Sequence, residues 1–592
     1  MPDDYTRRDV LRGIGTAATL AVLGGGVASA TPAEGRYIID TDTVSESEMG
    51  DVEVVHDLDE EIGYRVVECG ESALPSGATY LSDWEIDLER PAVTGDSELN
   101  AEDDVSDPLA DLQWDKQSQD VGKVHDTATG EGARIGVLDD GVLGANPDND
   151  FAHPDLPNVR GDLSSNFTGD GQGPGPLNDD HGTHVAGTAA AAANDTGVVG
   201  IAPDAEVVDL RVFSGQGAMT GDIAAAIVYG ATPVDAGGAG CDVLNLSLGV
   251  PPLVPFEDPS TAPDAWANPG VPYIAVEPSV IEFFESAYGA AASFALDNGC
   301  LPVASAGNSG INLSAPVSSD EQAPALRFEG VDGVPSTFPA EAPGYLTVGA
   351  TGPVGYGWPY GDGAEEVIPG FPLESPIQTE LFVEEPALYT NYGGDAVDVT
   401  AEGGNADGDA QADGVGGWFY DLVFSTAIGN VDPTRPENVR LDEYEPSYAW
   451  KAGTSFAAPQ VAGLAALLFG LDGDASPGAV RGAIERTAYD AKVGKAGQTT
   501  APSETPNVGG DGEIDGNTPS NPGSSPQTLS PEAYRGNGHI DVRAAAREFD
   551  SGGNGNGNGN GNGNGKGNGN GNGKGNGDGK GNGNGKGNGR GN

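Results

Sequence analysis

At 592 residues the chain has room for two to four domains, and one large enzyme domain with appendages fits that length. Aspartate and glutamate total 91 against 27 lysines and arginines, a formal charge of −64, which argues against nucleic acid or an anionic membrane surface as a partner. The apolar runs are still long enough to build a core, so the acidity reads as a carboxylate-rich surface suited to concentrated salt, which screens its self-repulsion.

The first thirty residues read as an export signal. Thr6-Arg7-Arg8-Asp9-Val10-Leu11 carries twin arginines, an apolar Gly/Ala/Leu run follows, and Ala28-Ser29-Ala30 is a small-residue cleavage site. The run is short for a membrane span and no cysteine follows to take a lipid, so the expectation is twin-arginine export to the extracellular space without an anchor. Residues 31–106 form a small acidic segment with strand-like pieces at Arg36 to Asp40 and Gly63 to Glu68, consistent with a small α+β domain; an acidic linker is the alternative.

From Asp107 the pattern changes. Strands at Arg134 to Asp139, Glu206 to Val212, Asp242 to Ser247, Pro302 to Ala306 and Tyr345 to Gly349 alternate with helices at His181 to Ala193, Thr220 to Tyr229 and Phe283 to Asp297. This alternation predicts an α/β fold, a doubly wound and mostly parallel sheet flanked by helices, with functional groups outside the carboxyl ends of its strands. Gly/Pro/acid-rich inserts around 250–280, 310–337, 352–388, 403–445 and 491–533 read as surface loops. The domain closes near Phe549. Residues 550–592 are a Gly/Asn-rich tail with scattered Lys and no apolar residue from 554 onward, which predicts disorder; it either tethers the protein to acidic surfaces or is a passive solubilising tail.

Three stretches carry chemistry. Gly453-Thr454-Ser455-Phe456-Ala457-Ala458-Pro459 places a serine where an alanine-rich helix begins, facing free N–H groups and the positive dipole end. Arg134-Ile135-Gly136-Val137-Leu138-Asp139-Asp140-Gly141 and Asp180-His181-Gly182-Thr183-His184-Val185-Ala186-Gly187 supply an acid and a base, in the chain order Asp, His, Ser. On these residues the chain resembles the subtilisin-like serine proteases, or subtilases (peptidase family S8), over roughly 107 to 549. The acidic, exported character is similar to their secreted halophilic, halolysin-like members.

The resemblance implies roles. Ser455 would be the nucleophile, His181 the general base and acid, and Asp139 the orienting carboxylate, with Asp140 left as an exposed or supporting acid and His184 as structural. Asn308, in Val303-Ala304-Ser305-Ala306-Gly307-Asn308, would complete the oxyanion hole with the Ser455 N–H. Ser247, Leu248 and Gly249 are the substrate-contact candidates, on a strand that pairs with an extended peptide. A structural Ca²⁺ is implied, held by the side chains of Asp155 and Asn194 and the carbonyls of Ala192, Thr196 and Val198.

Residues 31–106 would then be an inhibitory propeptide, and the protein a monomeric endopeptidase acting on proteins and peptides. A narrow processing protease and a catalytically dead surface binding protein are the rival readings. Cys69 falls in the propeptide. Cys241 and Cys300 begin neighbouring strands, where either a bridge or two buried free thiols fits.

Overall fold

Half-buried ribbons with one apolar face build the first sheet. The computed structural model describes residues 30–552 except 46–48, 50–51, 88–92, 101–108, 148–150, 216, 268–270, 323–325, 354–385, 406–417, 432–434, 436–438, 442, 490–506, 509–513, 516–533 and 535. The export signal before Ala30, the expected junction at 106 to 107, the Asp148-Asn149-Asp150 run and the tail from 553 lie outside the described residues. Strands β1 (Ala30–Asp40), β2 (Glu53–Leu58), β3 (Tyr64–Glu68) and β4 (Tyr80–Asp87) form an antiparallel sheet in the order β2-β3-β1-β4. The next strand, β5 (Val93–Asn100), does not join them.

The centre of the molecule is a parallel sheet made from the apolar runs legible in the sequence. Its members are β6 (Arg134–Asp139), β7 (Ser165–Asn166), β8 (Glu206–Arg211), and, after the short β9 (Phe213–Ser214) and β10 (Gly217–Met219), β11 (Val243–Leu246). Beyond a small parallel pair, β12 (Leu253–Pro255) and β13 (Ile274–Val276), come β14 (Leu301–Ser305), β15 (Leu346–Thr351) and β16 (Val399–Glu402). The seven strands lie in the order β16-β15-β14-β11-β6-β8-β7. Val137, Val243, Val303 and Val348 are fully buried, as strands covered on both faces require.

Helices α1 (His181–Ala190), α2 (Thr220–Ala231), α3 (Pro278–Asp297), α4 (Thr454–Leu471), α5 (Pro477–Thr487) and α6 (Val542–Gly552) complete the layers. The expected doubly wound α/β class is observed. Helix α4 is apolar on every side because it runs through the core, and it is long and apolar enough to cross a membrane yet 89% of it is buried. The closing segment clamps onto β16: Ile540 donates its N–H to the Thr400 carbonyl at 3.0 Å. His539 Nε2 lies 3.1 Å from Glu402 Oε1, which also accepts from the buried Gln119 and the partly buried Ser118.

Two expectations are corrected. Residues 250–280 and 310–337 are not simply surface loops: Val254, Tyr273, Ile311, Leu313, Val317, Leu326 and Val331 form a buried cluster, with Trp266 and Phe328 packed edge to face against it. The insert at 403–445 likewise contains β17 (Val423–Ile428), a wholly buried strand that pairs antiparallel with β18 (Pro446–Ala452). Gly/Pro content marked the turns in these stretches, but their aromatic and β-branched residues supply enough apolar surface to bury. Cys241 and Cys300 are both buried free thiols.

The amino-terminal sheet is continuous with the body. β4 pairs antiparallel with β10, in the register Gly217↔Asp87, Ala218↔Ile86 and Met219↔Glu85. Its apolar face shares one core with α2 and α3, where Trp84 meets Phe284 and Tyr64 meets Phe283. Charge is matched at the same contact. Asp83 Oδ1 accepts from the Thr220 hydroxyl (2.7 Å) and the Gly221 N–H (2.8 Å), capping α2 from outside the helix. Arg36 bridges Asp83 and Asp222, and His56 Nε2 stands 2.7 Å from Asp222 Oδ1.

Candidate active site

Strand ends and helix starts deliver every side chain of the site. Asp139 is the last residue of β6 and His181 the first of α1, and the imidazole Nδ1 lies 2.8 Å from Asp139 Oδ1 with both groups buried. An Nδ1–H donated to the carboxylate leaves Nε2 as the acceptor nitrogen. Burial by itself would lower the imidazole pKa, but the Asp139 carboxylate outweighs it and holds His181 above the ordinary histidine value.

Asp140 is not exposed; it is 4% accessible and works on both neighbours. Its N–H donates to Asp139 Oδ1 at 2.8 Å, while its carboxylate accepts from the N–H groups of Gly182 (2.7 Å) and His181 (3.3 Å). It therefore caps the helix that carries the imidazole. Burial, with Asp179 and Asp139 nearby, pushes its pKa well up. Gly182 must lack a side chain here, because a Cβ would stand 2.8 Å from Asp140 Oδ1.

Ser455 occupies the first turn of α4. Its hydroxyl lies 3.5 Å from the Ser247 carbonyl, and its own carbonyl accepts from Ser247 Oγ at 2.6 Å. Among the described residues His181 Nε2 has no hydrogen-bond partner, so the serine–imidazole bond is not made in this conformation. The next residue, Phe456, packs its ring 5.3 Å from that of His181 and 4.5 Å from that of His184, joining the two helix starts. Catalytic hydrogen bonds are commonly long without substrate and tighten when it binds.

Asn308 follows β14, and its Oδ1 accepts from the Thr454 N–H (2.8 Å) and hydroxyl (2.9 Å). With that oxygen committed, the amide turns its NH₂ end toward the start of α4, where a Cβ on Gly453 would sit 3.5 Å from Nδ2. Ser247, Leu248 and Gly249 continue β11; Ser247 and Leu248 are fully buried and Gly249 is partly exposed. Asn245 Nδ2 donates to Ser247 Oγ at 2.9 Å. Gly249 lies against the 336–338 segment, whose Phe338 carbonyl accepts the Val250 N–H at 2.7 Å.

His184 is structural, as expected: Nε2 donates to the Ala449 carbonyl at 3.0 Å, and burial keeps its pKa well below the ordinary value. The sequence reading missed Lys451. Its ammonium is buried and 2.5 Å from Asp180 Oδ1, next to the imidazole, which its charge pushes toward the neutral form. Lysine is so rare in this chain that one four residues before Ser455 was a usable signal.

The two segments expected to hold calcium are hydrogen-bonded to each other. Asp155 Oδ2 accepts from the Val198 N–H (2.8 Å) and the Tyr448 hydroxyl (2.9 Å), and Asn194 Nδ2 donates to the Pro154 carbonyl at 2.9 Å. Positive φ at Asp195 (64°) and Gly197 (60°) turns the loop. Carbonyls of Ala191 and Gly197 are bonded to Gly200 and Leu109, whereas those of Ala192, Thr196 and Val198 accept no hydrogen bond among the described residues. Three uncommitted oxygens beside a carboxylate and an amide suit a hard cation. No group of three or more His, Cys, Asp or Glu side chains that could hold a metal occurs among the described residues, so any ion here would rest on those carbonyls.

Residues 130–523 match the model of the subtilase family, peptidase S8. The chain belongs to that family. Among its relatives, an alkaline protease of Alkalihalobacillus alcalophilus is 32% identical over 217 residues, 35% of this chain and 47% of that protein. Subtilisin BL of Lederbergia lenta is 41% identical over 129 residues, 21% of this chain and 39% of the relative. The chain thus spans about half or less of the length of the relatives it matches. In fold, this subtilase is similar to the epidermin leader peptide processing serine protease EpiP of Staphylococcus aureus, at TM-score 0.53 and 18% identity over 86% of this chain and 97% of that one.

Proposed function

We propose that this subtilase is a secreted serine endopeptidase, made as a zymogen and adapted to high salt. The observation that carries the reading is the buried Asp139–His181 pair at 2.8 Å, whose imidazole packs 5.3 Å from the ring of Phe456, the residue after Ser455 at the start of α4. In this reading Ser455 Oγ adds to a peptide carbonyl while His181 Nε2 takes the hydroxyl proton. Asp139 holds the imidazolium. The oxyanion is met by the Asn308 amide and the Ser455 N–H. His181 then returns the proton to the leaving amine, and water, deprotonated by the same nitrogen, hydrolyses the acyl-enzyme.

Residues 31–106 act as an intramolecular inhibitor until cut away, and twin-arginine export carries the protein out. A calcium ion, bound by Asp155, Asn194 and the carbonyls of Ala192, Thr196 and Val198, would supply rigidity to the loop and no chemistry. The deciding experiment is casein hydrolysis in molar salt with calcium, comparing the full chain with Ser455→Ala. Activity lost in the variant, which also keeps its amino-terminal segment, is the expected result. Labelling of Ser455 by a fluorophosphonate without casein hydrolysis would instead indicate a narrow processing enzyme. A folded protein that neither hydrolyses nor labels would refute the proposal.

A further inference from the structure

Two contacts fasten β18 to the first turn of α1. Near the middle of the strand the Ala449 carbonyl accepts from His184 Nε2 at 3.0 Å, and two residues on the Lys451 ammonium meets Asp180 Oδ1 at 2.5 Å. Asp180 is the N-cap residue of α1, and its carbonyl accepts the His184 N–H at 3.0 Å. Two strand residues advance about 6.6 Å and four helix residues about 6 Å, so the two contacts form matched rungs. His181 lies between them on the helix. Ser455 follows Lys451 by four residues, a reach of at most about 14 Å.

The Asp180 rung carries charge where little water reaches. The Lys451 side chain is 5% exposed and that of Asp180 16%. Burial by itself would lower the lysine pKa, but Asp180, Asp179 and Asp140 outweigh it and keep the ammonium charged. Asp179 is fixed in turn, its Oδ1 accepting the Asp180 N–H at 2.8 Å. Buried ion pairs are commonly no more stabilising than apolar residues of the same volume, so stability alone does not account for a lysine here.

The position of the ammonium bears on the chemistry. The imidazole is faced by Asp139 and Asp140 at the end of β6, by Asp179, by His184 on its own helix, and by Lys451 from β18. Burial holds His184 neutral, and Lys451 opposes the imidazolium that Asp139 favours.

We propose that Lys451 is a positioning residue for the hydrolysis, its ammonium holding the start of α1 against β18 through Asp180 so that the His181 ring and the Ser455 hydroxyl meet in one geometry. The inference rests on the serine-protease reading. Contact and charge then have separable effects. The contact fixes the spacing of base and nucleophile, and the charge keeps His181 neutral to lower pH.

The test compares Lys451→Met, Lys451→Arg, Asp180→Asn and the double variant Lys451→Met/Asp180→Asn with the wild-type full chain. Casein hydrolysis and the rate of fluorophosphonate labelling are followed across pH, on protein whose circular dichroism is native. Lys451→Met should lower kcat roughly 10- to 100-fold with KM little changed, and move the acid limb up by about one pH unit. Asp180→Asn should move that limb downward, because the cation stays while its carboxylate is gone. Lys451→Arg should restore most of kcat, and the double variant should return the limb toward the wild-type position while kcat stays low. Unchanged kcat and limb in Lys451→Met, or limbs that move the same way in both single variants, overturn the proposal while leaving the protease reading intact. Should Lys451→Met fail to fold, Asp180→Asn decides: a limb that does not move downward overturns the proposal. A wild-type chain that neither hydrolyses casein nor takes the label overturns the reading on which it rests.

Discussion

Asp83→Ala, made in the Ser455→Ala background so that no cut intervenes, tests how the amino-terminal sheet is held. Asp83 is fully buried and does two jobs: Oδ1 caps α2 through Gly221 and Thr220, and Oδ2 accepts from Arg36 Nε at 2.7 Å. Losing a cap costs about 1 kcal/mol, and a hydrogen bond to a charged group about 1.5–3 kcal/mol. The two partners are unevenly served. Burial raises the Asp83 pKa although Arg36 opposes it, because Asp83 shares that one cation with Asp222. Arg36 faces two carboxylates, which outweigh its burial and raise its pKa as well. Alanine thus recovers part of the desolvation of Asp83, while Arg36 keeps Asp222. The net loss of docking free energy is about 2–3 kcal/mol, roughly 30- to 150-fold. The reporter is the Trp84 N–H, which donates to the Thr220 hydroxyl at 3.1 Å. Its hydrogen-exchange protection should fall by that factor in the variant while amides of the parallel sheet stay protected. Unchanged protection at Trp84 would refute the reasoning.

Four further outcomes are expected. Activity should rise with pH along a limb whose pKa exceeds the ordinary histidine value, because His181 must be neutral to accept a proton; Asp139→Asn should lower kcat by about 10⁴ and move that limb downward, read from the pH profile of kcat/KM. Glu402 is held at about 2 against 4.5 unfolded, the His539 interactions and hydrogen bonds from Gln119 and Ser118 offsetting its burial. A depressed carboxylate contributes stability above its unfolded pKa, so about 3 kcal/mol should disappear as pH falls from about 4.5 to about 2, and Glu402→Gln should flatten that acid limb in denaturant titrations. Gly197→Ala should abolish stabilisation by calcium, seen as loss of the Tm difference between calcium and chelator, since its Cβ would collide with the Tyr448 hydroxyl and Asp155 Oδ2 at a φ of 60°. Lowering salt from molar to about 0.1 M lengthens the screening distance from about 3 to about 10 Å, so circular dichroism melts should show marked destabilisation of a chain bearing −64; an unchanged Tm would refute salt adaptation.

Five strands of the parallel sheet were legible because each is a largely apolar run closed by a turn, as at Arg134–Asp139 and Leu301–Ser305; the edge strands β7 and β16 were not, being short and, in β7, polar. Asp139, His181, Asn308 and Ser455 were legible because each sits in a motif at an element boundary. Pairs formed over long separations were not. Asp83 and Thr220 are 137 positions apart, and neither carries a local sign of the other. Asp140 was expected as an exposed or supporting acid because aspartate usually is exposed; what buries it is a pair of free N–H groups supplied 41 and 42 residues later. β17 and β18 were hidden for a different reason. They lie among Gly- and acid-rich stretches, and a short β-branched run there gives no periodicity that separates a strand from a loop.

These long-range pairings bear on how the segment proposed to be removed could complete the core and still be released. Ile38, Leu58, Tyr64 and Trp84 complete the same core as Phe283, Phe284 and Tyr288 on α3, so the helix layer over the parallel sheet is finished by residues upstream of the proposed cut. While the chain is continuous, that apolar contact is intramolecular and its association entropy is already met. If the proposed maturation cuts the chain between this sheet and the body, the same contact becomes bimolecular and is opposed by the several kcal/mol that association costs. The centre of the contact is a polar cluster in which Arg36 and the His56 imidazole meet two carboxylates, Asp83 and Asp222, whose burial is tolerable only while their partners remain. Such a cleavage would weaken docking without altering a single residue of the interface.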